Sequence, residues 1–466
     1  MTLATRGSAE HATESAAERS TIARHAATVL VGQLAVMAFG VTDTVVAGRY
    51  SEHALAALSV GSATFVSVYV GLTGMLQSML PIWAQLHGAN RPIELGRALR
   101  QTLYICLVGG LLGIWLLLNP GPLLRWAEVP AELQQEASRY LAVLALGLPP
   151  ALLFRIYSTL NQGLGRPRLV TWVQLGSLGL KIPLSVWFTF GGWGLEPQGA
   201  VGCAWATVLV NYSMLALAIF NLYTQPLYRP YALWQRLEAP HWQQLGQLMR
   251  LGLPGGLSIM VEVTSFTLMA LFIARLGSVA SAGHQIAANA AAVLYMVPLS
   301  LGIATSARVS YWRGAEQPAL AKVALRSGFW LAGSCALVLA GSMWLARVPL
   351  AEAYSRSPAV VLAASSLLGW VALYHLADAI QAVAVFVLRS YRITVWPLLV
   401  YSVMLWGVGL AGGFALAYRG LGPWPAMQNP EAFWAASAVA LAVTAIIFAM
   451  TLRRAMRQDD LLVSAS

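Results

Sequence analysis

Apolar residues in this chain neither alternate nor cluster into short patches; they run on for about 20 residues at a time, the length of a membrane-crossing helix, before polar, glycine- and proline-bearing segments break them. Twelve such runs are predicted as membrane spans, at residues 25–47, 54–82, 99–118, 138–158, 169–190, 199–223, 249–274, 280–306, 323–346, 360–386, 393–417 and 432–452. Each is long enough to cross a hydrocarbon core of roughly 30 Å as a helix. A helix satisfies its own backbone groups in lipid, and these runs are too long for barrel strands. The pattern therefore predicts an all-α polytopic membrane protein.

Composition agrees. Of 466 residues, 58% are hydrophobic and only 10% charged, against roughly 25% charged in soluble domains. The net charge of +11 would suit a polyanion partner were it gathered in one place, but it is distributed by topology. Twenty of the 29 basic residues fall in the two tails and the even-numbered loops, Arg389 and Arg392 among them, and seven on the opposite side. Only Arg155 and Lys181 remain, counted with neither side. The positive-inside rule then places both ends in the cytoplasm, and no nucleic-acid partner is expected. Residues 1–23 are polar and of mixed charge, without an apolar targeting core, and read as a cytoplasmic tail before an uncleaved first span. Cys106, Cys203 and Cys335 lie in apolar segments without metal-ligand spacing and are expected to be packing residues.

The sequence repeats. Laid on itself so that Gly88 meets Gly314, the chain matches "LHGANRPIELGRALR" to "WRGAEQPALAKVALR". Laid so that Arg168 meets Arg392, it matches "LGRPRLVTW" to "LRSYRITVW". Two pseudo-symmetric six-helix lobes follow, the N-lobe over 24–223 and the C-lobe over 249–453. A cytoplasmic linker joins them over 224–248, and a cytoplasmic tail follows over 454–466. Transporters built from parallel repeats place substrate near the midplane between them.

An ionisable group in mid-membrane costs roughly 2.5–3.5 kcal/mol on insertion scales, so each needs a reason. Glu262 lies in span seven, Asp378 in span ten, Asp43 toward the outer end of span one and Lys181 about midway along span five. Arg155 is near enough to the inner end of span four to snorkel. In span ten, Tyr374, Asp378 and Gln381 share a helix face at i,i+4 and i,i+3 spacing, with His375 at its border. Ser258 and Glu262, and Gln285 and Asn289, repeat the i,i+4 spacing in spans seven and eight. Oxygen ligands suit Na+, and desolvated carboxylates suit proton carriage; amides such as Gln285 and Asn289 serve equally well as interhelical bridges. Gln33, Asp43, Lys181, Gln285, Asn289 and Gln381 are candidate substrate or N-lobe cavity residues. The repeat does not duplicate these charges: Glu262 falls opposite Val36 and Asp378 opposite Phe154.

The stretches "GQLAVMAFGVTDTVVAGRYSEHALAALSVG", "LPIWAQLHGANRP", "NQGLGRPR", "LGLPGGLSIMVEVTSF", "GHQIAANAAAVLYMVPLSLGIATSARV" and "DAIQAVAVFVLRSY" occur in that order. Together they resemble the multidrug and toxic compound extrusion (MATE) family, in its bacterial NorM-like branch. The resemblance implies alternating-access antiport by two lobes around a central cavity. It also implies a coupling Na+ or H+ at Glu262, Asp378 and Tyr374 in the C-lobe. Asp43 matches the aspartate of the family's D-T-x-x-A-G stretch, and Gln285 and Asn289 its Q-I-x-x-N. Lys181 departs, standing where the family usually carries asparagine. An ammonium there is expected to pair with Asp43 and to argue against ion coupling in the N-lobe.

The function expected is efflux of amphipathic, often cationic, organic compounds in exchange for Na+ or H+, by a protein of the bacterial inner membrane that works as a monomer among its lipids. No cofactor is expected. The alternative, flipping of a lipid-linked precursor, calls for a cationic cavity that two intramembrane bases do not make. Enzyme readings find no G-x-S-x-G elbow or zinc-binding histidine pattern, and no G-K-[ST] phosphate loop is present for an ATP-driven pump.

Overall fold

The structure is a computed structural model that describes the backbone of residues 2–126, 129–192, 194–420, 422 and 425–465, and the side chains of 13–125, 129–192, 194–420, 422 and 425–459. The basic residue Arg6, assigned to the first tail, has its side chain outside the described set. Helices account for nearly all of the described chain: α1 (Thr2–Tyr50), α2 (Glu52–Gln77), α3 (Leu80–Gly88), α4 (Pro92–Leu118), α5 (Gly121–Trp126), α6 (Ala131–Gly163), α7 (Arg168–Phe190) and α8 (Ala200–Thr224), then α9 (Trp242–Ala274), α10 (Ser278–Gly314), α11 (Pro318–Tyr354), α12 (Pro358–Ser390), α13 (Val395–Tyr401), α14 (Gly413–Tyr418) and α15 (Glu431–Ala465). A 3-10 turn, Pro226–Tyr231, lies in the connection between α8 and α9, and Ser402–Gly412 takes π-helical geometry between α13 and α14. Twelve helical segments among the described residues are long and apolar enough to cross a membrane, one for each predicted run.

The ends of these helices are written locally. Proline opens α4, α11 and α12 at their first turn, where its missing N–H breaks no helical bond. Ser51 caps α2 by accepting from the Ala54 amide at 3.0 Å. The polar residues before the first apolar run continue α1 as helix, and Glu18 is buried there in an ion pair with Arg308 and a 2.9 Å hydrogen bond from Trp312.

The chain divides into two compact units, residues 28–256 and residues 1–27 with 257–466. In the first, α6 is the central helix, packed against α2, α4 and α8, with α7 on α8. In the second, α12 takes that place, packed against α10, α11 and α15. The two are the fourth and tenth spans, the same position in the repeat, and they are the most buried spans of the molecule. The segment after α8 is built into the first unit. Arg100 of α4 grips Glu238 at 2.7 Å and the Ala232 carbonyl at 2.7 Å. Tyr228 donates to Asn161 at 2.7 Å. Gly96 is required at this contact, because a Cβ there would stand 1.8 Å from the Tyr231 carbonyl oxygen.

Candidate functional site: two buried charge centres

In the 28–256 unit, α1 carries Asp43, α7 carries Lys181 and Ser185 one turn apart, and α8 carries Cys203 and Thr207 one turn apart. Lys181 is fully buried, and its ammonium lies 2.7 Å from Asp43 Oδ1, 2.6 Å from Thr207 Oγ1 and 3.2 Å from the Cys203 carbonyl. An ammonium has three donors, and all three are used. Asp43 also accepts from Ser185 at 3.0 Å and from Thr207 at 3.4 Å. A buried charge is tolerable when it is both paired and hydrogen-bonded, and this pair meets both conditions without an external ion. Gln33 lies half-buried on α1, N-terminal to Asp43.

Arg155 does not merely extend toward the headgroups. Its guanidinium donates to Gln77 Oε1 at 3.3 Å, and Gln77 donates in turn to Gln162 Oε1 at 2.8 Å. This amide network on α6 and α2 was not visible from residue spacing, because Gln77 and Gln162 come from different spans.

The second unit holds the other centre. On α12, Gln381 donates to Asp378 Oδ1 at 2.8 Å and accepts from the Tyr401 hydroxyl at the end of α13. Asp378 is 3% exposed, and Gln381 1%. Glu262 on α9 stands one turn before Phe266, whose ring meets that of Tyr374, one turn before Asp378 on α12, so the two helices bring the carboxylates to the same level. Beside them Phe266, Tyr374 and Trp434 meet edge to face with ring centroids 5.8–6.1 Å apart. Trp434 is held by donation to His284 Nδ1 at 3.2 Å. This centre therefore combines two carboxylates, phenol and carboxamide oxygens, and an aromatic wall. No group of three His, Cys, Asp or Glu side chains that could hold a metal ion occurs among the described residues, so a Na+ here would draw on the neutral oxygens as well.

Arg389, counted with a cytoplasmic connection by charge topology, is the second-last residue of α12 and 3% exposed. Gln285 and Asn289 are exposed on α10 and bonded to each other at 3.2 Å; neither bonds a carboxylate of the centre among the described residues. Tyr401 had no signal in the sequence, since its helix meets α12 only in the folded chain.

The family model MatE matches residues 29–187 and 254–414. The chain belongs to that family. The two matched stretches begin at residues 29 and 254, an offset that falls between the two at which the sequence matches itself. The chain is 40% identical over 438 residues to the probable multidrug resistance protein NorM of Aromatoleum aromaticum, covering 94% of each. It is 35% identical to the multidrug resistance protein PmpM of Pseudomonas aeruginosa, covering 93% of this chain and 91% of that one. Among solved structures it is similar to the eukaryotic MATE transporter AtDTX14 (TM-score 0.85, 18% identity, 96% and 98% covered) and to the Vibrio cholerae MATE transporter VcmN in its bent form (TM-score 0.82, 18% identity, 96% and 99% covered). This MatE protein is a multi-pass membrane transporter and not an enzyme.

Proposed function

We propose that this MatE protein is a multidrug efflux antiporter of the bacterial inner membrane with both termini cytoplasmic. It exports amphipathic, often cationic, organic compounds in exchange for Na+ or H+. The relatives named for multidrug resistance support the substrate class, and the excess of basic residues in alternate connections supports the orientation.

The observation that carries the coupling assignment is the difference between the two charge centres. Asp43 already has a resident cation in Lys181 at 2.7 Å, whereas Asp378 accepts from the neutral amide of Gln381 and Glu262 stands across from it on α9, with no ion pair to either carboxylate among the described residues. A mobile cation is attracted to the second and has nothing to neutralise at the first. The coupling ion therefore binds at Glu262 and Asp378, with Tyr374 and Gln381 supplying neutral oxygens. The aromatic wall of Phe266, Tyr374 and Trp434 suits a lipophilic cation by cation–π attraction. Ion and drug then compete for the same negative charge, which is the minimum requirement of exchange.

The test is efflux of ethidium from proteoliposomes with Na+ and pH gradients imposed separately. Glu262→Gln and Asp378→Asn should each reduce gradient-driven efflux to background. Efflux that persists in both variants removes the assignment.

A further inference from the structure

Two bases in the 28–256 unit, Lys181 of α7 and Arg155 of α6, differ in what answers them. The Lys181 ammonium has Asp43 at 2.7 Å. Arg155 is half-buried and, among the described residues, has no ion pair and a single hydrogen bond, the 3.3 Å donation to Gln77 Oε1. A guanidinium has five N–H donors, so most of them are left over. Arg155 stands eight residues before the end of α6, about 12 Å along the helix axis.

The groups around it form an ordered network. Arg155, Ser158, Thr159 and Gln162 stand at i, i+3, i+4 and i+7 and so share one face of α6. Gln162 Nε2 donates to Ser158 Oγ at 3.2 Å, and Gln77 Nε2 donates to Gln162 Oε1 at 2.8 Å. That leaves Gln77 Oε1 to accept from Arg155 and from Thr159, each at 3.3 Å. The network runs in one direction, because turning the Gln77 amide round would set its NH2 group against a guanidinium that accepts nothing. Gln77, Ser158, Thr159 and Gln162 are all buried. They hold the guanidinium in place and neutralise none of its charge. A charge partly withdrawn from water is costly while unpaired, and the guanidinium fork fits a carboxylate with two parallel bonds.

We infer that Arg155 is a subsite for a carboxylate, with Gln77 positioning the guanidinium, and that the transporter takes amphoteric compounds, which carry a carboxylate as well as an organic cation. This rests on the multidrug reading and adds a substrate class to it, since a purely cationic drug has no use for a base. One alternative is that Arg155 only extends the amide bridge between α2 and α6. Another is that a phospholipid phosphate is its partner. The phosphate is the poorer fit, because the bond to Gln77 turns the guanidinium toward α2 and its buried amides.

Tetramethylrhodamine, an amphoteric carboxylate, and its methyl ester, a monocation, differ only at the group in question. Their affinities for the purified full-length protein in nonionic detergent are read by fluorescence polarisation. The wild-type protein should bind the acid at least as tightly as the ester. Arg155→Gln should lower the acid-over-ester preference about tenfold, the worth of a hydrogen bond to a charged group. Arg155→Lys, which keeps the charge but not the fork, should lower it less. A preference unchanged in Arg155→Gln overturns the proposal, and so does a loss of both dyes in equal measure, which marks a packing role. If the preference is unchanged while the variant loses bound phosphatidylglycerol in native mass spectrometry, the partner is a lipid phosphate and the proposal falls. A wild-type protein that prefers the ester overturns it even if Arg155→Gln does not fold. Glu262→Gln should weaken both dyes alike through their shared cation, so failure of the coupling assignment shows there and failure of the carboxylate subsite shows in the ratio. A protein that binds neither dye removes the multidrug reading and this proposal with it.

Discussion

The two charge centres occupy related scaffolds but solve the problem of buried charge in opposite ways. In the 28–256 unit a carboxylate and an ammonium from α1 and α7 satisfy one another, with Ser185, Thr207 and the Cys203 carbonyl taking up the remaining donors and acceptors. In the other unit neither Glu262 nor Asp378 has an ion pair among the described residues, and Asp378 accepts from the neutral amide of Gln381. A closed pair is a structural element: removing either half is costly because a charge is stranded. An open centre is incomplete by itself, and an incomplete charge balance is what a transported ion can complete. The two halves repeat the helices but not the charges: one centre is self-sufficient and the other is open.

The sharpest way to break this comparison is to neutralise each centre in turn. Replacing both members of the closed pair, Asp43→Asn with Lys181→Met, should leave gradient-driven ethidium efflux within about threefold of wild type, since paired neutral side chains of similar size replace buried ion pairs at little cost. Neutralising either carboxylate of the open centre should instead bring efflux to background. Loss of coupling in the closed-pair variant would show that the two centres are not different in kind.

A single change at the closed pair should have the next largest effect. Lys181→Met leaves Asp43 buried without its partner and should destabilise the protein by about 3–5 kcal/mol, read as a fall in Tm in detergent. Adding Asp43→Asn should recover most of that fall. A double variant no more stable than Lys181→Met would mean that Lys181 contributes by packing alone.

Outside the membrane, the Arg100–Glu238 contact gives a smaller and pH-dependent effect. The hydrogen bond from Arg100, aided by the charges of Arg100 and Arg97, outweighs burial and holds the Glu238 carboxyl below its ordinary value of 4.5. A carboxyl with a depressed folded-state value contributes stability above the unfolded value and loses it as pH falls through the folded one. Glu238 is about a third exposed and screened by solvent, so Glu238→Gln should cost about 0.5–1 kcal/mol near neutrality, and the difference from wild type should shrink below pH 4.5. A difference that stays constant from neutral to acid pH would exclude the ionised contact as its source. The smallest effect is expected at Gln285, exposed and, among the described residues, bonded only to Asn289. Gln285→Ala should change stability by less than about 0.5 kcal/mol.

Much of this was legible before folding. Long apolar runs specify spanning helices because lipid offers no partner to an open backbone, and every predicted run is matched by a helix. The i,i+4 and i,i+3 spacing of Tyr374, Asp378 and Gln381 places them on one face whatever surrounds the helix. Lys181 and Asp43 could be paired in advance only by charge and by resemblance, for they stand on different spans far apart in the chain. For Arg389 the sequence told the side of the membrane but not the direction of the side chain. A basic residue at a helix end satisfies the positive-inside rule whether its side chain reaches headgroups or turns back over Phe386, and charge topology does not distinguish the two.

The sequence by itself determined the elements and their inventory: twelve spanning segments, a duplicated architecture, and a handful of charges whose cost demands partners. Those properties depend on hydrophobic run length and helical period, which are local. Only the tertiary structure decided which charges are completed and which are left open. Partnership depends on helices far apart in the chain bringing oxygen and nitrogen, or oxygen and oxygen, within about 3 Å, as α7 does for Asp43 and α13 for Gln381. A pattern along one helix sets the face a side chain occupies, and packing alone sets what stands opposite.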